Sequence, residues 1–215
     1  MATLKHPLLS QLSGKLGNLV IYQLNGKTVL REKPKWKTAY KATPHQKMHQ
    51  LKFKEVYKIL RPLKILLDFG FSEFIGGNRK GIHLAMSHAM KQACYLEGEQ
   101  VKINFNSLLL SSGPIEGVDQ LAVEKPGNKI LRLTWESQGN YEPSRESDLT
   151  WIVVYNPSQG LVEEFKGKAY RRTQVQEVEV SPRIDFNGLF IYVSFYRNFP
   201  KNRVKFSDSV CFQLE

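Results

Sequence analysis

The sequence predicts an α+β protein, with an N-terminal β-hairpin and helical module followed by an antiparallel β-sandwich of immunoglobulin or fibronectin type III type. Three observations favour this class. Asn25-Gly26 lies between two β-rich runs, apolar residues after residue 50 recur with helical spacing, and strand-like runs separated by turn residues fill the second half. We place the domain boundary between residues 98 and 99. This gives a basic hairpin and helical module over 1–98 and a β-sandwich domain over 99–215.

The first element is a hairpin over Asn18 to Lys33. The runs Leu19–Leu24 and Lys27–Glu32 are rich in β-formers. Asn-Gly between such runs is the strongest short-range hairpin signal, because both residues tolerate the positive φ of a type I′ turn. An isolated hairpin is marginally stable in water, so we expect it to pack on the helices, the β domain or another subunit.

A helix is predicted from about Gln46 to Leu60. Thr43-Pro44 is typical of a helix start, since a capping hydroxyl precedes proline at the first helical position. Apolar residues then recur at i, i+3, i+4 and i+7, which predicts a buried stripe. These residues are Phe53, Val56, Tyr57 and Leu60. Beyond Pro62, which should break or bend the helix, further helical pieces are predicted over Leu63 to Phe69 and Ile82 to about Tyr95.

The second half carries short strand-like runs with no helical period. Seven or eight such strands are typical of an antiparallel sandwich. Trp135 and Trp151 are expected in its core, and the lack of a cysteine pair beside them disfavours an antibody-type domain. The predicted strands are roughly Val101–Leu110, Gly117–Glu124, Lys129–Trp135, Leu149–Tyr155, Leu161–Gly167, Gln174–Val180, Leu189–Tyr196 and Val204–Leu214.

The charge is unevenly distributed. The formal net charge is +11, and residues 1–91 hold 17 Lys and Arg against 4 Asp and Glu, whereas residues 92–215 hold 14 against 16. A concentrated positive surface attracts polyanions, because each neutralised phosphate releases condensed counterions. Solubility alone can also select a net charge, so a polyanion partner is one of two interpretations.

The basic ribbon from Lys33 to Lys41 is the strongest candidate site. Its lysines are interleaved with Trp36 and Tyr40, which combines attraction for phosphates with flat faces on which bases stack. Cations on the adjoining helix extend the surface over about 21 Å. The alternative is a solvated helix face with a tail that packs against a neighbouring subunit. The candidate nucleic-acid-binding residues are Lys15, Lys27, Arg31, Lys33, Lys35, Trp36, Lys37, Tyr40, Lys41, Lys47, Lys54, Lys58, Arg61, Arg79 and Lys80.

No catalytic, metal or cofactor motif is found, so we expect no enzyme activity. Gly26-Lys27-Thr28 lacks the earlier glycine of a phosphate-binding P-loop. His45 and His49 have the spacing of two metal ligands but no glutamate after the first and no evident third ligand. The loop Gly76–Gly81 could cradle an anion at a helix N-terminus, although a simple loop and cap is the favoured interpretation.

The compartment expected from the sequence is the cytoplasm. No apolar run approaches the roughly 20 residues of a membrane-spanning helix, and no apolar block typical of an export signal follows Met1. We therefore expect no membrane partner. The two cysteines, Cys94 on a predicted helix and Cys211 near the C-terminus, are interpreted as buried thiols.

Several segments in order along the chain match the pattern of a known family. They are Ser13–Asn18, Gly26–Arg31 with Pro34, Thr43–Gln46 leading to Lys52-Phe53, Phe69–Phe71 and Leu108–Gly113. Together they resemble an uncharacterised family of Bacteroidota proteins catalogued as a domain of unknown function. The resemblance covers nearly the whole chain and implies the same two-part layout, with no established activity, cofactor or site. This chain is more basic through Lys33–Lys58 than the family pattern.

Two functional hypotheses follow. The first is a non-enzymatic binding protein that engages nucleic acid or a ribonucleoprotein through its basic N-terminal surface, with the β-sandwich as a platform; RNA is one candidate partner, and the choice between RNA and DNA stays open. The alternative is a structural or assembly subunit of a larger, phage-like protein complex, in which the hairpin arm contacts a neighbouring copy or another protein.

Overall fold

The computed structural model of the protein describes residues 2–4, 12–33, 41–98, 100–136, 146–201 and 203–214. It contains 25% helix and 47% strand. Within the described sheets every strand pair is antiparallel, which confirms the α+β class. By its contacts the chain divides into two compact units, Met1–His45 and Gln46–Glu215.

The N-terminal unit is a four-stranded sheet built around the predicted hairpin. Asn25 and Gly26 have φ of 52° and 73°, the region that a type I′ turn requires, so the hairpin prediction is confirmed. The Lys33 N–H donates to the Asn18 carbonyl (2.6 Å) at the open end. Two flanking strands were not predicted. The strands are β1 Ala2–Leu4, β2 Gly14–Leu16, β3 Leu19–Leu24 and β4 Lys27–Glu32. Across the sheet they lie in the order β1-β4-β3-β2.

Three α-helices follow in the described part of the chain, with Pro62 between the first two as predicted. Pro62 cannot donate a backbone hydrogen bond, which suits its place in the turn after the first helix. The helices are α1 Pro44–Leu60, α2 Lys64–Gly70 and α3 Gly81–His88. A π-helical turn continues α3 over Ala89–Ala93 and gives way to strand at Cys94, so the prediction of helix at Cys94 is wrong. Among the described helices, none has the length and apolar character needed to cross a membrane.

The remaining strands form a five-stranded sheet, a three-stranded sheet and a small hairpin. The strands are β5 Cys94–Glu97, β6 Gln100–Ile103, β7 Asp119–Gly127, β8 Ile130–Glu136, β9 Leu149–Asn156, β10 Leu161–Tyr170, β11 Val175–Glu179, β12 Leu189–Phe199, β13 Arg203–Phe206 and β14 Val210–Leu214. The five-stranded sheet, called the large sheet, has the order β10-β9-β12-β13, with β14 also paired to β12. The three-stranded sheet, called the small sheet, has the order β11-β8-β7, and β5 and β6 form the hairpin.

Two predicted strands differ from the structure. The strand expected over Val101–Leu110 ends already at Ile103, as β6. A 3-10 turn over Phe105–Ser107 follows it, in which the Asn104 side chain accepts the Asn106 N–H (3.0 Å). The run expected over Val204–Leu214 is two strands, β13 and β14. Ser207 lies between them, and its hydroxyl accepts the Phe195 N–H (2.9 Å) in place of a backbone carbonyl.

The large sheet is buried on both faces. On one face Trp151 and Tyr192 pack with helical residues such as Leu67 in one apolar cluster. On the other face Ile152 packs with Trp135 and other residues of the small sheet in a second cluster. Both tryptophans are therefore core residues, as predicted. Burial on both faces also explains the continuous apolar runs of β9 and β12.

The helices share a core with strands of the second half. The division by contacts falls between His45 and Gln46, whereas the sequence placed a domain boundary between residues 98 and 99. That boundary stays a prediction. The shared core nevertheless means that α1, α2 and α3 bury their apolar faces on the large sheet, which a hydrophobic stripe alone cannot reveal.

Candidate nucleic-acid interface

Three predicted site residues of the N-terminal unit share one face of its sheet. Lys15 pairs with Val20 and Val20 pairs with Arg31, and directly paired residues point to the same face. Lys27 pairs with Leu24, four residues from Val20, so it lies on that face about 13 Å along the strand. The three cationic side chains are exposed. Tyr22 lies on the same face, with the Arg31 guanidinium carbon 6.0 Å from its ring centroid.

The basic ribbon is described only at its two ends. Lys33, directly after β4, and Lys41, three residues before α1, are both exposed. Four candidate residues between them lie outside the described residues: Lys35, Trp36, Lys37 and Tyr40.

Helix α1 carries the predicted row of cations on one exposed side. At 100° per residue, Lys47, Lys54 and Lys58 fall within a sector of about 40°, roughly opposite the buried Val56 and Leu60. Arg61 extends this row, because its N–H still donates to the Tyr57 carbonyl (2.9 Å) in helical fashion. The four cations therefore form one edge, and Lys58 in the last turn also interacts favourably with the helix dipole.

The described cations of the candidate site lack acidic partners. Within the described residues, none of them forms an ion pair, whereas Arg132 pairs with Glu177 (2.6 Å) elsewhere. Their charge is therefore available to a polyanion. The residues concerned are Lys15, Lys27, Arg31, Lys33, Lys41, Lys47, Lys54, Lys58, Arg61, Arg79 and Lys80.

The predicted buried stripe of α1 is wrong for two of its four residues. Val56 and Leu60 are buried, but Phe53 is 55% and Tyr57 44% exposed. Both rings line a groove between α1 and α3 with a volume of about 660 Å³. The other residues lining this groove are Lys64, Lys80, Ile82, His83, Met86, Ser87 and Met90.

A second cavity adjoins the groove at Tyr57, which lines both. Its volume is about 530 Å³, and Lys54, Lys58, Arg61 and Pro62 complete its lining. Of the described residues that line the two cavities, none is Asp or Glu. Four of these lining residues were predicted as site residues from the sequence: Lys54, Lys58, Arg61 and Lys80. Phe53, Tyr57 and Lys64 were not.

The loop Gly76–Gly81 forms a closed turn rather than an open anion cradle. The Arg79 N–H donates to the Gly76 carbonyl (3.1 Å). At the N-terminus of α3, the Gly81 N–H donates to the Asp68 carboxylate (2.7 Å). An anion there would face that carboxylate, so the loop-and-cap interpretation fits better. Arg79 and Lys80 keep exposed side chains.

The most buried charges belong to a structural cluster. Asp148, fully buried, accepts from Arg197 Nε (2.5 Å) and lies 3.3 Å from an Arg171 nitrogen. Arg171 also donates to the Glu116 and Gly117 carbonyls and lies over the Phe195 ring (4.0 Å). These contacts tie β12 to the turn after β10. Among the described residues no group of three or more His, Cys, Asp or Glu could hold a metal ion.

The two cysteines are free and partly buried. Burial raises the pKa of the Cys211 thiol to about 12 and also raises the pKa of Cys94. Because the thiolate is the reactive form, both groups are poor nucleophiles at neutral pH.

Comparison with known proteins adds one finding. A family model described as a family of unknown function (DUF6266) matches residues 11–209. No match is found among curated proteins or among solved structures. The predicted resemblance to a family of unknown function is therefore confirmed, whereas its assignment to Bacteroidota stays a prediction.

Proposed function

We propose that this chain, which belongs to the DUF6266 family of unknown function, is a non-enzymatic protein that binds nucleic acid or a ribonucleoprotein through its surface. The observation that carries the proposal is the exposed cationic edge of α1. Lys47, Lys54 and Lys58 lie on one side of the helix, and Arg61 continues the row.

The length and spacing of this edge suit a phosphate backbone. From Lys47 to Arg61 the helix rises about 21 Å, with a cation every three to seven residues. Flexible lysine and arginine side chains contact successive phosphates by charge, and each contact releases counterions. A solvated helix face would more often mix both signs, but on α1 the only acidic residue is Glu55, which is half-buried.

The N-terminal sheet offers a similar chemistry in smaller form. Lys15, Lys27 and Arg31 share a face with Tyr22, so cations again flank an aromatic ring. Such a combination suits a nucleic acid with accessible bases, because phosphates meet the cations and a base meets the ring. This face supports the proposal independently of α1.

Charge reversal on α1 tests the proposal. We expect fluorescence anisotropy with labelled RNA and DNA to show binding that weakens steeply with salt. A triple charge reversal, in which three lysines of α1 are changed to glutamate, should abolish this binding. An equal reversal in the second half should leave binding within about twofold. Wild-type protein that binds no nucleic acid, or a triple reversal that binds like wild type, contradicts the proposal. The variants are Lys47→Glu, Lys54→Glu and Lys58→Glu, and the control is Lys168→Glu, Arg183→Glu and Lys201→Glu.

A second candidate function is assembly. Leu16 on the edge strand β2 is 70% exposed, and Leu12 and Leu19 nearby are also exposed. An edge strand with exposed leucines is a template for pairing with another chain. We expect light scattering to show concentration-dependent association that Leu16→Lys removes. A strict monomer over a wide concentration range would count against self-assembly.

Other expectations from the sequence stay proposals alongside these functions. They are an immunoglobulin or fibronectin type III form of the sandwich, a domain boundary between residues 98 and 99, and a cytoplasmic location. The absence of enzyme activity and of a cofactor also belongs to the proposal. The large sheet, which is covered by helices on one face, departs from a two-layer sandwich with two solvated outer faces.

A further inference from the structure

We propose that the groove between α1 and α3 takes the bases of a single-stranded nucleic acid, with Phe53 and Tyr57 as stacking platforms. This inference rests on the proposed function and deepens it by naming the form of nucleic acid and the residues that select it.

The exposure of the two rings is the first observation. Helix α1 buries only Val56 and Leu60, so its first three turns contribute no buried residue to the core. Phe53 and Tyr57 lie on neighbouring turns, four residues apart, where side chains meet on the helix surface. Large rings held half-exposed beside each other on a rigid helix present flat faces to a ligand.

The floor of the groove is the second observation. Ile82, Met86 and Met90 of α3 and its π-helical extension line it opposite the rings. Methionine is polarisable and adaptable, and its sulfur makes favourable contacts with aromatic systems, so it accommodates bases of different size. The volume of about 660 Å³ falls within the range of pockets that enclose small ligands, so it can admit bases.

The charge around the groove is the third observation. Lys64 and Lys80 line the groove itself, and Lys54, Lys58 and Arg61 line the adjoining cavity. With no acidic residue among the described lining of either cavity, the surroundings complement a phosphate backbone. His83 adds a hydrogen-bond donor: its Nδ1 accepts the Lys80 N–H (3.2 Å), which leaves Nε2 to donate to a base edge.

These features favour single strands over duplexes. In a duplex each base stacks on its neighbours and offers only its edges, so neither ring could stack on a base face. In a single strand the bases can turn towards Phe53 and Tyr57 while phosphates follow the cations of α1. Tyr57 lines both cavities, so it lies where the backbone passes from one to the other.

The test measures the affinity of wild type and variants for a labelled pyrimidine 12-mer, as RNA and as DNA, and for a hairpin duplex of similar length. We expect tighter binding of the single strands than of the duplex. Phe53→Ala and Tyr57→Ala should each weaken single-strand binding by roughly 5- to 140-fold, the usual effect of removing one stacking ring. Tyr57→Phe, which keeps the ring, should retain most of the affinity.

A control variant removes an exposed apolar side chain that does not line the groove. Ile65, 83% exposed on α2, serves this purpose. Ile65→Ala should bind like wild type. Circular dichroism of each variant shows that the helices remain folded, which is expected because all these side chains are exposed.

Three outcomes overturn the inference. If charge reversal on α1 weakens binding but Phe53→Ala and Tyr57→Ala bind like wild type, the proposed function stands and the groove has no role in it. If wild type binds no nucleic acid, the proposed function and the inference fail together. If a dodecanoate anion or an acidic Leu-Glu peptide displaces the 12-mer from wild type but not from Tyr57→Ala, the groove is built for another amphipathic anion.

Discussion

Removing the charges of Lys58 and Arg61 should change the salt dependence of nucleic-acid binding by a predictable amount. Both residues line the cavity beside Tyr57, and neither has an acidic partner among the described residues. For single strands, each neutralised phosphate contributes about −0.7 to the slope of log affinity against log salt. The double variant Lys58→Ala, Arg61→Ala should therefore have a slope shallower by about 1.4.

The difference is large enough for a routine titration. Between about 50 mM and about 200 mM salt, wild type should lose about sevenfold more affinity than the double variant, since a fourfold change is raised to the power 1.4. Fluorescence anisotropy at four or five salt concentrations measures both slopes. The difference does not depend on how many other cations contact the strand, because those contacts are common to both proteins.

A matched variant separates contact from net charge. Lys168→Ala, Arg183→Ala removes the same charge from exposed positions in the second half, and its slope should equal that of wild type. Equal slopes for wild type and Lys58→Ala, Arg61→Ala would refute the reasoning. If both double variants lowered the slope equally, only overall charge would matter and no cationic edge would be needed.

Three further predictions concern the fold and can be measured by urea unfolding or thiol labelling. Asp148→Ala should lower the free energy of unfolding by about 3–5 kcal/mol, because it removes a buried carboxylate that pairs with two arginines. Removing the exposed partner in Glu177→Ala should cost less than about 1 kcal/mol, and equal losses for the two variants would contradict this. Gly81→Ala should cost about 1–3 kcal/mol, because its Cβ would lie 2.0 Å from the Leu67 carbonyl oxygen, whereas Gly76→Ala, with open space around it, should stay within about 1 kcal/mol. Because burial raises the pKa of Cys211 to about 12, mass spectrometry should find it labelled by a disulfide reagent at about pH 8 only after unfolding.

Local signals in the sequence predicted the elements that depend on local chemistry. The Asn25-Gly26 turn fixes the hairpin because two adjacent residues must adopt positive φ. Strands β1 and β2 were missed because three residues are too few to show alternation. Their pairing with the hairpin depends on the folded sheet, not on their own composition.

The packing of the helices on the large sheet could have been predicted from the sequence. The prediction of a sandwich rested on the number of strands and did not use the signal. Strands β9 and β12 are apolar almost throughout, which is typical of strands buried on both faces. A sandwich strand with one solvated face would alternate. Those continuous runs therefore indicate that a second layer covers the large sheet, and the apolar faces of the helices supply it.

The two aromatic residues of the groove show why apolar spacing alone cannot separate core from site. On a helix Tyr57 lies 100° from Val56, at the margin of the buried side, whereas Phe53 lies within about 20° of Leu60 but two turns earlier, beyond the buried part of α1. Periodicity gives the direction of a side chain and not how far along the helix the core extends. The sequence did contain a distinguishing feature for one of the two rings: Phe53 lies between Lys52 and Lys54. An aromatic ring with a cation on each side along the chain favours a surface for polyanions, and this separates Phe53 from Val56 and Leu60. It does not separate Tyr57 from Leu60, because each of them directly precedes one cation.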